Sequence, residues 1–314
     1  MKLLIEIPAW MGDAVMATPA IENLVKIYNN PKIILIGSFI STETLKNHPN
    51  IYRTIILDKK IISLIKIAKN LGKFDAFFTF RSSFRAKFLK ICVQADYKYQ
   101  FNKNKYKNRH QVEKYNDFIN DSLKIDLPAG RLKIITKDSK KNNTKQILGI
   151  NPGASYGSSK RWYPQKFAEV VENLSKQFDI VIFGSTNETE IANEIEKTLI
   201  SKGVNNFQNL AGKTSITELV KCISNLDLLI TNDSGPMHLA ASFQIPTISI
   251  FGPTRDNETS QWLNIHSVII KKNLICQPCM KRTCPLNHHN CMKLITPKEV
   301  IEAIPDVYKI STLN

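Results

Sequence analysis

At 314 residues and 43% hydrophobic composition, the chain is long enough for two ordinary domains with separate cores, which excludes a disordered protein. No apolar stretch approaches the roughly 20 residues that span a bilayer, and Met1-Lys2 runs into an apolar segment without a small-residue cleavage site, so a cytoplasmic protein is expected. The net charge of +16 is uneven: residues 1–146 hold 27 Lys and Arg against 12 Asp and Glu, whereas 147–314 hold 16 against 15. A basic first half attracts polyanions such as nucleic acid, an anionic membrane or a phosphorylated substrate, although Lys103, Lys105, Lys107 and Arg109 equally suit a solvated loop.

In chain order, the apolar runs Leu3–Ile7, Ile33–Ile36, Thr54–Leu57 and Ala76–Phe80 read as buried strands, separated by helical patterns such as Pro19–Tyr28. The rhythm stops at the polar stretch Thr136–Lys145 and restarts at Ile147, which places a linker near residue 146. The second half repeats the scheme, with strands at Ile147–Ile150, Ile180–Phe183, Leu228–Ile230 and Thr247–Phe251. Helices are expected there over 164–177, 187–199, 215–224 and 235–243. Strands alternating with helices indicate parallel α/β sheets, whose ligands sit just past the carboxyl ends of the strands.

Three such loops carry candidate chemistry. Pro8–Asp13 lacks the G-x-G-x-x-G fingerprint of a dinucleotide fold, which argues against an NAD-dependent enzyme. Its Asp13 is either a carboxylate suited to take a proton from a substrate hydroxyl or the N-cap of the next helix. Asn151–Trp162 is a small-residue loop able to offer backbone N–H groups to an anion, with Lys160 as a mobile positive charge; a plain connection is the other reading. Leu229–His238 joins a strand to a helix, with Ser234 or Gly235 as cap and Pro236 at the first helical position. The uncapped N–H groups and the helix dipole there favour phosphate, while His238 fits either the site or the core.

Cys276, Cys279, Cys284 and Cys291, with His288 and His289, allow a structural zinc reading, but the second pair is C-x6-C where that pattern wants C-x2-C. Cys92 and Cys222 read as buried core thiols. The charge and the cysteines together leave a zinc-containing nucleic-acid-binding protein as a rival reading.

Met11-Gly12-Asp13, Pro152-Gly153-Ala154 through Lys160-Arg161-Trp162, Leu210–Ser215, Thr231–Gly235 and Phe251–Thr254, in that order, resemble the ADP-heptose:lipopolysaccharide heptosyltransferases of glycosyltransferase family 9. The tail from Cys276 to His289 looks like the heptosyltransferase II branch. The resemblance implies a GT-B fold, two Rossmann-like domains with parallel sheets facing across a cleft. An acceptor-binding domain over 1–146 and an ADP-heptose-binding domain over 147–314 are expected, with residues after about Thr296 returning to the first. It further implies inverting transfer of heptose to the first heptose of the lipopolysaccharide inner core, with action on Kdo-lipid A as the alternative. The anionic heptosyl-Kdo-lipid A acceptor brings peripheral contact with the inner membrane, and no cofactor, metal ion or nucleic acid is expected. By position, Asp13 resembles the general base and Lys160 the lysine on the donor phosphates. Asp233, Ser234, Gly235 and His238 match the segment around the diphosphate and sugar, Ser155 and Tyr156 the phosphate loop, Thr214 the adenine loop, and Glu188 a ribose contact. Pro236 stands where relatives often carry leucine, which should stiffen the helix start.

Overall fold

The computed structural model describes residues 1–58, 60–136 and 145–304. They form two units: one takes the described residues within Met1–Lys137 together with Asn257–Leu263, the other those within Asp138–Asp256 and Asn264–Asn314. Most of the expected linker, residues 137–144, lies outside the described residues.

The first unit runs β1 (Lys2–Glu6), α1 (Met11–Met16), α2 (Thr18–Ile27), β2 (Lys32–Gly37), α3 (Phe39–Leu45), β3 (Ile51–Ile56), α4 (Ile61–Leu71), β4 (Lys73–Thr79), α5 (Phe84–Cys92), β5 (Gln94–Gln100) and α6 (Gln111–Leu123). Its five strands are all parallel in the order β3-β2-β1-β4-β5. β1 and β2 are apolar on both faces because helices cover both sides of the sheet. On one face Leu64, Ala68 and Leu71 of α4 and Leu89 of α5 pack on Leu4, Ile34, Ile36 and Phe77. On the other, Tyr115 and Phe118 of α6 meet Phe78, Phe80 and Phe101 edge-on. Between β1 and β2, where the helical pattern Pro19–Tyr28 is read, the chain forms two helices, α1 and α2.

The second unit runs β6 (Gln146–Asn151), α7 (Pro164–Leu174), β7 (Phe178–Ile182), α8 (Thr189–Ser201), β8 (Phe207–Asn209), α9 (Ile216–Ser224), β9 (Leu228–Asn232), α10 (Gly235–Ser242), β10 (Thr247–Phe251), β11 (Ser267–Lys271), α12 (Asn290–Lys293) and α13 (Pro297–Glu302); α11 (Asp256–Thr259), between β10 and β11 in the chain, falls in the segment that joins the first unit from Asn257 on. Its parallel order is β11-β10-β9-β6-β7-β8. From β6 the chain winds outward through β7 to β8, then crosses back to place β9 on the other side of β6. The crevice above β6 and β9 is therefore the topological switch point. In the first unit the same change of direction falls between β1 and β4.

The inner strands lie where the apolar runs predict them; the edges β5, β8 and β11 do not appear among those runs. An edge strand is open on one side and tolerates polar residues, as in Gln94-Ala95-Asp96-Tyr97-Lys98. Two further differences concern the tail. Val300 and Ile304 belong to the core of the second unit beside Trp162 and Ile295, so the described residues after Thr296 do not return to the first; residues 305–314 lie outside those described. The segment Asn257–Leu263 instead joins the first unit: His110 Nε2 lies 3.1 Å from the Ser260 carbonyl, Trp262 Nε1 donates to Gly130 O at 2.9 Å, and Lys114 pairs with Glu258. No described helix is long and apolar enough to cross a membrane.

Candidate active site

In the second unit the loops after β6 and β9 are tied into one body by buried amides. Asn232, fully buried at the end of β9, accepts from the Trp162 N–H at 3.0 Å and donates to Pro152 O at 2.7 Å. Asn151, at the end of β6, donates to Gly153 O and to Ser234 Oγ at 3.2 and 3.1 Å. Buried amides satisfied on both loops fix their separation. Within this frame Lys160 Nζ reaches Asp233 Oδ2 at 2.5 Å, with only 13% and 4% of the two side chains exposed. Thr254 Oγ1 donates to the same carboxylate oxygen at 2.6 Å. The Lys160 ammonium lies over the Tyr156 ring, 4.8 Å from its centroid.

Ser234 is the N-cap of α10, but its side chain does not cap the helix: the hydroxyl lies 3.1 Å from both Asn151 Nδ2 and Thr231 Oγ1. The first turn therefore keeps its positive end directed at the crevice beside Lys160. Gly235 is the first helical residue and Pro236 the second, one place later than expected; His238 follows, buried to 3% exposure.

On the other flank of β6, the Glu188 carboxylate lies against Gly153, where a Cβ would stand 2.2 Å from Glu188 Cδ, so any larger residue there would displace the carboxylate. Glu188 Oε2 accepts from both the N–H and hydroxyl of Ser185 at 2.8 Å, closing the turn after β7. The Gly212 N–H donates to Gly184 O at 2.9 Å, drawing the loop that carries Thr214 to the same end of the sheet. Glu188, Lys160, Asp233, Ser234, Gly235, His238 and Thr214 thus share one end of one sheet. Ser155 is exposed on the loop, whereas the Tyr156 hydroxyl donates to Met280 O at 2.8 Å and is engaged with the chain itself.

That contact belongs to a strap. Residues 280–289 lie along the phosphate-loop segment: Ser159 N donates to Arg282 O at 3.1 Å, His289 Nε2 lies 2.9 Å from Ser159 O, and Tyr163 Oη lies 3.2 Å from His289 Nδ1. A Cβ on Gly157 would stand 2.2 Å from Arg282 O. His289 thus has protein partners at both ring nitrogens. Burial, then the neighbouring Cys276, Cys279 and Cys284, push the Cys291 thiol up to about 11. Among the described residues no group of three or more His, Cys, Asp or Glu side chains is arranged to hold a metal ion. Cys92 and Cys222 are half-buried, less enclosed than expected.

At the switch point of the first unit, Asp13 is half-buried and the third residue of α1; Trp10, and not Asp13, is the N-cap. Burial, with the charge of Asp13 beside it, holds the buried Tyr115 phenol well above its usual range. Beneath lies a group that the sequence reading missed. Glu6, 1% exposed at the end of β1, accepts from Thr79 Oγ1 at 2.6 Å and stands 3.6 Å from Arg81. Burial raises its carboxyl group, against the opposing pull of Thr79 and Arg81. An acid within the apolar run Leu3–Ile7 was the available signal.

An arrangement of this kind has counterparts among known proteins. The sequence profile of glycosyltransferase family 9 (heptosyltransferase) matches residues 77–290. The chain belongs to this family. It is a glycosyltransferase, and its pair of parallel α/β sheets is of the GT-B type. It is 43% identical over the whole of both chains to lipooligosaccharide heptosyltransferase 2 of Campylobacter jejuni subsp. jejuni serotype O:2. Its fold matches that of E. coli ADP-heptose lps heptosyltransferase II with a TM-score of 0.81 at 22% identity, covering 96% of this chain and 97% of the other. E. coli heptosyltransferase WaaC with ADP matches at a TM-score of 0.77 and 15% identity, over 96% and 98%.

Proposed function

We propose that this family 9 enzyme moves heptose from ADP-heptose to the first heptose of the lipopolysaccharide inner core, working in the cytoplasm at the inner membrane with an anionic heptosyl-Kdo-lipid A acceptor. The observation that carries the reading is the Lys160–Asp233 pair beside the uncapped start of α10, at the switch point of the second sheet. A fixed cation next to a helix N-terminus is what a departing diphosphate requires. The full-length likeness to lipooligosaccharide heptosyltransferase 2 supports the choice of sugar and step.

In this reaction the Asp13 carboxylate takes the proton of the acceptor 3-hydroxyl as that oxygen attacks the anomeric carbon. The bond from that carbon to the diphosphate breaks with inversion, and ADP leaves with its new charge held by Lys160 and the Ser234-Gly235 turn. In this reading Glu188 takes the ribose and Thr214 the adenine, while Asp233, besides orienting Lys160, acts with His238 on the sugar. Ser155 offers its exposed hydroxyl to the phosphates, and Tyr156 acts through the ring under Lys160. Lys160 supplies the countercharge, so the transfer is proposed to need no metal ion or cofactor, and nucleic acid is not a partner.

The test is to incubate the protein with ADP-heptose and acceptors carrying zero, one or two heptoses and to follow product mass. One added heptose on the singly heptosylated acceptor alone is expected. Addition to bare Kdo-lipid A would replace this reading with the heptosyltransferase I reaction, and no product on any acceptor would remove it.

A further inference from the structure

Glu6 and Thr79, the last residues of β1 and β4, stand in register on neighbouring strands, and both are buried. A carboxylate inside an apolar sheet is costly unless a cation pairs with it. The cation here is Arg81, whose Nη1 stands 3.6 Å from Glu6 Oε1 and whose side chain is 26% exposed. The turn that carries it is held on both sides: the Arg81 N–H donates to Thr79 Oγ1 at 3.2 Å, and its carbonyl accepts from Gln100 Nε2 at 3.2 Å. Arg81 is thus placed by side chains from β1, β4 and β5, whereas Lys103 and Lys107 lie exposed on the loop after β5.

At 3.6 Å the pair is longer than a hydrogen bond, so Glu6 aims the guanidinium without using up its donor fork. Two parallel N–H groups on a planar fork are the complement of a carboxylate. Arg81 follows β4 and Asp13 follows β1, the two strands that flank the switch point where a ligand of this sheet belongs. Both charges reach the Tyr115 phenol: after burial, Asp13 pushes it up and Arg81 pulls it down. In the proposed reaction the hydroxyl brought to Asp13 belongs to a heptose joined directly to Kdo, a sugar acid, so an anion lies one sugar away from the reacting oxygen. We infer that Arg81 is the receptor for the carboxylate of that sugar acid and a specificity-determining residue of the transfer, with Glu6 and Thr79 as positioning residues. The inference deepens the proposed function and rests on it for the identity of the acid. Diffuse lysine charge draws an anionic acceptor in, whereas one fixed fork sets which hydroxyl arrives at Asp13.

Calorimetric binding and initial rates of the full chain test it, with a lipid-free heptosyl-Kdo oligosaccharide whose Kdo carboxyl is either free or converted to the amide. For the wild type, masking the carboxyl should weaken binding and raise the acceptor KM by about tenfold to a hundredfold, with the KM for ADP-heptose unchanged. Arg81→Gln should show the same loss on the free acid and no further loss on the amide. Because that variant leaves Glu6 buried without its cation, the comparison is repeated in Glu6→Gln with Arg81→Gln, which removes the charge and keeps an acceptor oxygen for Thr79. Arg81→Lys, which keeps the charge without the fork, should regain only part of the affinity. A wild type indifferent to the amide, an Arg81→Gln variant, alone or with Glu6→Gln, that still loses affinity with the amide, or full recovery in Arg81→Lys overturns the receptor. So does an equal rise in both KM values, which would mark a general disturbance of the enzyme. Carboxyl-dependent binding without transfer counts against the proposed reaction and leaves the receptor standing.

Discussion

The two units share a parallel sheet with a switch point, yet they equip that point differently. In the second, charge is nearly balanced, and the loops above β6 and β9 are locked by Asn151, Asn232 and the 280–289 strap, leaving Lys160 held by Asp233, whose carboxylate also accepts from Thr254. In the first, a large positive charge is spread over the surface, and the crevice holds acids, with Asp13 half-buried at its edge and Glu6 buried under it. A nucleoside diphosphate is small and compact, so a few groups fixed in advance suffice to bind it and to meet the charge formed as it leaves. The large anionic acceptor proposed for this enzyme calls for long-range attraction by a basic surface.

The largest effect should come from separating the two roles. Asp13→Asn removes the proposed base from the first unit and leaves the diphosphate site of the second untouched. Turnover should fall between about a hundredfold and ten-thousandfold while ADP affinity, followed by calorimetry, stays at the wild-type value. A loss of ADP affinity equal to the loss of turnover would end this division of labour.

Lys160→Ala should lower turnover by about a hundredfold and weaken ADP binding as well. It also leaves the Asp233 carboxylate buried without its cation, which should cost up to about 3 kcal/mol of stability. Adding Asp233→Asn removes that charge, so thermal stability should recover in the double variant while turnover does not. Recovery of turnover too would reduce Lys160 to a counterion of Asp233.

Much of this contrast was legible before any fold was known. The inner strands are apolar because helices bury both their faces, so β1, β2, β6, β9 and β10 announced themselves, and with them the loops that follow. Lys160 and Asp233 were both identified, but their pairing was not, because it joins residues 73 apart in the chain. The cysteine-rich tail carried a recognisable spacing, yet its visible work is done by backbone carbonyls and His289 on the loop at Ser159, contacts that no residue pattern encodes. The transfer of Asn257–Leu263 to the first unit was equally hidden. It depends on a histidine ring and a tryptophan meeting across more than a hundred residues of chain, with ring centroids 4.8 Å apart.

That last junction gives the smallest and most specific effect. His110 caps α6 by accepting the Val112 N–H at Nδ1, 3.2 Å, which places the ring proton on Nε2, where it can be donated to Ser260 O. Burial disfavours the cation, so the folded value lies below the ordinary 6.5 despite the opposing pull of Ser260 O, and protonating Nδ1 would also remove the acceptor that caps the helix. A base with a lowered folded value binds protons more readily when unfolded. Its contribution to stability is therefore complete above about pH 6.5 and is lost as pH falls toward the folded value. Thermal unfolding should show the first unit losing stability as pH falls below about 6.5. His110→Asn keeps a capping oxygen without a titrating ring, so its decline over that range should be shallower. An identical slope in the variant would mean that other groups carry the pH dependence and that His110 is not what fastens Asn257–Leu263 to the first unit in a protonation-dependent way.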